Sequence, residues 1–103
     1  MDWELLRSQM VSYQIKNRGI QNKDVLNALK NIPRHQFVPP EIREESYCDH
    51  PLPIGLNQTI SQPYIVALMT DELAIKSHHK ILEIGSGCGY QTAILANIAA
   101  EVY

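Results

Sequence analysis

The sequence has no block of lysine or arginine, and nine basic residues against eleven acidic ones leave a formal charge of -2. That balance argues against a nucleic-acid or anionic-membrane surface. Its apolar runs fall far short of a membrane span. The opening residues, MDWELLRSQM, are acidic early and lack a basic segment leading into an apolar one, so no secretory leader is expected. Cysteine is scarce. Cys48 and Cys88 lie forty positions apart, and two free thiols in the cytoplasm are expected rather than a disulfide. No Cys/His cluster has zinc-site spacing, and the adjacent His78 and His79 are poorly placed for joint chelation, so no metal site is expected. There is no internal repeat and no evident Ser-His-Asp constellation.

What remains is an ordinary folding composition, 45% hydrophobic and 19% charged over 103 residues, enough for one small domain with a core. Asp2 suits the N-cap of a first helix in which Trp3, Leu6, Met10 and Tyr13 recur at helical spacing, with Arg18-Gly19 as its stop. Trp3 and Tyr13 are expected to pack that helix onto the body. A second helix is predicted from Lys23 to Asn31, with Val25, Leu26, Leu29 and Ile32 on its apolar side and Pro33 ending it. A short helix fits Glu41 to Ser46. Tyr47 to Thr59 carries two prolines and a glycine and is expected to be ordered but irregular. Ser61 stands at an N-cap position, with Pro63 in the first turn of a helix whose apolar repeat is Ile65, Leu68, Met69 and Leu73.

The chemically distinctive stretch is Lys80 to Ala93, KILEIGSGCGYQTA. Ile81, Leu82 and Ile84 read as a strand, Gly85, Gly87 and Gly89 as a tight turn, and Tyr90 to Ala99 as a helix. Glycine lets such a turn take positive φ and approach a ligand closely, and the helix behind it presents free N–H groups. The spacing is G-x-G-x-G, whereas dinucleotide sites use G-x-G-x-x-G, and no lysine completes a phosphate loop. Glu83, two residues before the first glycine, suits a cationic group. A bare strand-to-helix turn with no ligand is the plainer alternative. Acid-x-Gly-x-Gly-x-Gly at a strand end resembles the first motif of Rossmann-like S-adenosylmethionine-dependent methyltransferases.

A second stretch narrows the resemblance. Leu52, Pro53, Ile54, Gly55, Gln58, Thr59, Ile60, Ser61 and Pro63 match the L-P-I-G-x-G-Q-T-I-S-x-P pattern of protein-L-isoaspartate O-methyltransferases. Asn31, Arg34, Phe37 and Val38 match the N-x-x-R-x-x-F-V of that family's leading helices. Asn57 stands where the family commonly has glycine, though Asn tolerates the left-handed region better than most residues. The resemblance covers nearly the whole chain. It implies an α/β, Rossmann-like methyltransferase fold, here the N-terminal helices and the first strand-turn-helix unit of the parallel sheet. Residues 1–60 would be a helical and loop segment and 61–103 the start of the methyltransferase domain.

The resemblance also implies S-adenosylmethionine as cofactor and isoaspartyl proteins and peptides as substrates, in protein repair. Ser61 would be the active-site serine, and Gln58, Thr59 and Ile60 would line the junction of cofactor and substrate with it. Gly85, Ser86, Gly87 and Gly89 would hold the cofactor, with Glu83 behind them. A serine that only caps its helix is equally sound chemistry, and Ser61 can do both. His35 and His50 are expected at the surface or in packing, Tyr64 and Tyr90 fit ligand contact or core alike, and Cys88 between two glycines is expected to matter for its small size.

A strand-turn-helix unit needs a second parallel strand, for which Glu101-Val102-Tyr103 is the candidate. The acid that holds a ribose in related sites falls about 20 residues beyond the first glycine, past Tyr103. The chain is therefore expected to be the front portion of a longer protein. Two other readings stay open: a methyltransferase of the same fold acting on another substrate, and an inactive interaction module that associates through an unpaired strand edge at Ile81 to Ile84.

Overall fold

The computed structural model describes residues 1–103. Helix α1 (Trp3–Gln9) starts where Asp2 accepts from the Leu5 amide at 3.0 Å. It runs on into a π-helical turn, Met10–Ile15. That wider turn brings Met10 and Ile15, five residues apart, to the same buried side as Val11. The helix stops at Gly19, as expected from Arg18-Gly19. Helix α2 (Lys23–Asn31) is capped by Asn22, which accepts from the Asp24 amide at 2.9 Å, and it buries Val25, Ala28 and Leu29. A 3-10 turn, Arg34–Phe37, and a second, Pro40–Glu45, follow.

Tyr47 to Thr59, expected to be irregular, contains a β-hairpin. Strand β1 (Leu52–Gly55) pairs antiparallel with β2 (Gln58–Ile60) across a bulge between Pro53 and Gly55. Leu56 and Asn57 at its tip both have positive φ, 53° and 57°, the two-residue geometry that suits strand twist. Asn57 thus takes the conformation that the commoner glycine would take. Turn-rich composition concealed the strands because their pairing partners lie within the same short stretch.

Two further expectations need correction. Ser61 is not the N-cap of the next helix; α3 (Pro63–Glu72) is preceded by Gln62, whose side chain instead donates to Asp49 Oδ1 at 2.8 Å. The proline at the first helical position needs no amide partner, so the cap moves one residue on. The face of α3 turned to the core is Pro63, Val66, Ala67 and Thr70, not the larger Ile65, Met69 and Leu73, which are exposed. Small side chains let this helix pack closely. Tyr13, expected to pack, is exposed as well, whereas Trp3 stacks on His35 at 4.4 Å.

Strand β3 (Lys80–Ile81) and β4 (Glu101–Val102) form the expected parallel pair, with α4 (Tyr90–Ala96) crossing between them. Hydrogen bonding continues past both strands, through Tyr103 N to Ile81 O and Glu83 N to Tyr103 O, each 2.8 Å. The helix is shorter than the predicted Tyr90 to Ala99. One core joins these parts, from Met10 through Ile60 and Val66 to Ile98. Cys48 and Cys88 are unpaired, and no helix is long and apolar enough to cross a membrane.

His35 also ties α1 to the body. Arg7 Nη1 donates to the Tyr47 hydroxyl at 3.1 Å, and that hydroxyl lies 3.0 Å from His35 Nδ1. Burial, then the charges of Arg7 and Arg43, hold His35 below its usual value. The unfolded chain therefore binds a proton first as pH falls. Stability contributed by this cluster is complete above about pH 6.5 and declines as the pH drops below it. Urea unfolding across that range checks this, and His35→Phe should flatten the dependence. Ala74, just after α3, has φ 50° and lies exposed; Ala74→Gly should raise unfolding free energy by roughly 1 kcal/mol, measured in the same experiment.

Candidate functional site

The glycine turn after β3 is built by backbone conformation. Gly85 and Gly87 have φ of 76° and 56°, and a Cβ at either would meet nothing within 4 Å. Their backbones therefore face open space, a cradle that side chains would fill. Gly89 precedes α4, and its amide donates to the Ser86 carbonyl at 2.9 Å, closing the turn.

A cavity of about 640 Å³ opens over this turn. Thr59, Ile60 and Ser61 line it together with Glu83, Gly85, Ser86 and Gly87. The structure thus brings together seven of the nine residues singled out from sequence. Gln58 lies outside this lining, in a neighbouring depression with Phe37, Gly87 and Cys88. Gly89 is also outside it and acts in the turn's geometry. Ser61 is exposed. Glu83 is half-buried and accepts a hydrogen bond from the Thr92 hydroxyl, which locks strand β3 to α4.

The floor and rim hold residues that sequence patterning did not assign to the site. Leu68, Met69, Glu72 and Leu73 of α3 line the cavity with Leu82 and Ile84. The large apolar face of α3 looks into this space rather than the core. Gln91 Nε2 donates to Thr70 Oγ1 at 2.9 Å, and that hydroxyl donates to Val66 O at 2.7 Å, joining α3 to α4 beneath the cavity.

Beneath Ser61 and the turn lies Arg34, which sequence analysis used only as a motif match. It is fully buried. It donates from Nε to the Ser46 carbonyl at 2.5 Å and from Nη2 to the Ser61 carbonyl at 2.9 Å. Its guanidinium lies over the ring of Tyr90, 5.0 Å from the centroid. Burial pulls Arg34 below its ordinary value, with Tyr90 partly opposing, and burial pushes the Tyr90 phenol up to about 12. Tyr90 is therefore packing and cavity wall, not an acid or base near neutrality. The helical spacing of its neighbours gave no sign that Arg34 points inward, since an arginine after Pro33 reads as surface.

Comparison with known proteins places these features in context. Residues 6–103 match the family model for protein-L-isoaspartate(D-aspartate) O-methyltransferase. The chain is 52% identical, over its whole length, to protein-L-isoaspartate O-methyltransferase 1 of Syntrophobacter fumaroxidans, covering 48% of that protein. It is 57% identical to the Methanoculleus marisnigri protein-L-isoaspartate O-methyltransferase over 93% of this chain and 44% of the relative. The chain therefore spans about half the length of these curated relatives. A Plasmodium falciparum crystal structure, described as such a methyltransferase in complex with S-adenosyl-L-homocysteine, superposes with a TM-score of 0.74 at 30% identity, over 87% of this chain and 40% of that one.

The turn's dependence on glycine is open to direct measurement. Gly87→Val keeps open space around the new side chain, so its cost is that of the backbone alone. It should destabilise the fold by about 1–2 kcal/mol in urea unfolding.

Proposed function

The chain belongs to the protein-L-isoaspartate O-methyltransferase family, and on that premise we propose that the full-length protein transfers a methyl group from S-adenosylmethionine to the free carboxylate of isoaspartyl residues in damaged proteins. The observation that carries this is the single cavity shared by Thr59–Ser61 and the Glu83–Gly87 turn. The free backbone around Gly85 and Gly87 and the nearby Glu83 suit a zwitterionic, cationic cofactor. The bound S-adenosyl-L-homocysteine of the Plasmodium falciparum relative supports the same choice.

When bound, S-adenosylmethionine supplies a methyl group already activated by its sulfonium. The turn amides of Gly85 to Gly87 would hold its carboxylate, and Glu83 would offset its positive charge. Gly89 keeps the turn closed. Ser61 donates a hydrogen bond that orients the substrate carboxylate, with Gln58, Thr59 and Ile60 bounding the approach. That carboxylate has a reference pKa of about 3.5–4 and is ionised near neutrality. No proton has to be removed, so the site needs placement and exclusion of water rather than a general base. The absence of any demand for a base accords with Ser61 standing alone. Unpaired Cys48 and Cys88 favour the cytoplasm as the compartment.

The exposed edge of β3 supports a second property of the 103-residue chain taken by itself. Leu82 and Ile84 are 74% and 90% exposed, and β4 pairs with one edge of β3 alone. By itself this chain is proposed to bind cofactor weakly, to methylate nothing and to associate through that edge. Tight stoichiometric binding of S-adenosyl-L-homocysteine by this chain in calorimetry would contradict it.

Incubation of the full-length protein with labelled S-adenosylmethionine and paired aspartyl and isoaspartyl peptides tests the main proposal. Label should enter the isoaspartyl peptide alone; equal labelling, or none, would sink it. A methyltransferase of other substrates would label small molecules without peptide preference. Ser61→Ala should lower kcat by roughly 10- to 100-fold, the value of one hydrogen bond to a charged group. The pH profile should stay flat between about 6 and 8 in both forms, because no base with a reference pKa in that interval takes part.

A further inference from the structure

Arg34 is buried completely, and neither ion pair of the structure includes it. Such a cation survives only where its surroundings are arranged for it. The three groups arranged here come from three separate segments. Ser46 follows the Pro40–Glu45 turn, Ser61 joins the hairpin to α3, and Tyr90 opens α4 directly after Gly89. Arg34 Nη1 and the Tyr90 hydroxyl are both buried without a hydrogen-bond partner. The guanidinium meets Tyr90 over its ring face, where a cation is attracted.

Ser61 and Tyr90 both line the cavity. We propose that Arg34 is a positioning residue: by holding the Ser61 carbonyl and the Tyr90 ring at once, it sets the separation between the substrate-side segment and the glycine turn. The proposal rests on the methyltransferase function argued above. With no base to tune, the rate there depends on alignment of carboxylate and methyl donor, and a misplacement of one ångström costs about a hundredfold. The guanidinium is suited to the task because one planar group gives two directed donors and a flat face. A lysine offers the charge without the fork, and a methionine offers the bulk without either.

The test compares Arg34→Lys, Arg34→Met and Tyr90→Leu with Val25→Ala, a truncation of a buried α2 side chain that does not line the cavity, in the full-length protein. Readouts are kcat and KM for an isoaspartyl peptide, S-adenosyl-L-homocysteine affinity, and amide hydrogen exchange over residues 58–62 and 86–90. Both Arg34 variants should lose about a hundredfold in kcat, with cofactor-product affinity changed by less than about threefold. Exchange in the two segments should rise together. Tyr90→Leu should loosen the same pair of segments, and Val25→Ala should do neither at matched stability. Arg34→Lys with wild-type kcat, or Val25→Ala with the same kcat loss, overturns the positioning role. If wild-type protein methylates no isoaspartyl peptide, the substrate assignment falls. Exchange then decides alone: joint loosening of both segments upholds the coupling, and a pattern like that of Val25→Ala refutes it.

Discussion

A guanidinium buried without a carboxylate is the constraint on which the rest of this structure depends. Moving such a group out of water costs several kcal/mol, so Arg34 is stable only while its acceptors stay in place. Two are main-chain carbonyls, Ser46 and Ser61, and the third partner is the face of Tyr90. The 3-10 turn that carries Arg34 also carries His35, whose ring stacks on Trp3 and meets the Tyr47 hydroxyl. One short turn therefore clamps the N-terminal helix through His35 and two cavity-lining residues, Ser61 and Tyr90, through Arg34.

The site divides its tasks between backbone and side chains. In the proposed function, cofactor recognition would fall to the turn of Gly85 to Gly89, whose three glycines have positive φ. Ser61 lines the same cavity and is exposed, and the proposed reaction would ask of it only a hydrogen bond to an already ionised carboxylate. Glu83 is tied to Thr92, so its carboxylate is oriented by α4 rather than free in solution. The apolar side chains Met69, Leu73, Leu82 and Ile84 border the same cavity and remain exposed. Of these, Leu82 and Ile84 follow β3, and in a parallel sheet strand residues of that kind are normally covered on both faces, whereas here they are open.

Much of the fold was legible from local pattern. Asp2, Asn22 and Gly19 mark helix ends through short-range hydrogen bonding and chain sterics, and α2 has the predicted bounds, Lys23–Asn31. The parallel return of Glu101-Val102 follows from the need of a strand-turn-helix unit for a neighbour. Less was legible where tertiary contacts choose between two acceptable local answers. Helix α3 has two faces at helical spacing, and size favoured Ile65, Met69 and Leu73. Close packing against the π-turn and α2 selected Val66, Ala67 and Thr70 instead. The hairpin was hidden by prolines and turn residues, and Ser61 lost its capping role to Gln62 because Pro63 already occupies the first helical position.

The sequence by itself determined the glycine turn and its acid, the hairpin-to-helix segment carrying Ser61, and through them the family. Those features depend on residue type at fixed short spacing, which no packing decision can alter. Only the tertiary structure decided that the two stretches line one cavity, and that Arg34 lies inside rather than outside. The reason is physical: a charged side chain reads as surface until the acceptors that compensate its burial, in this chain 12 and 27 residues away, are brought to it by the fold.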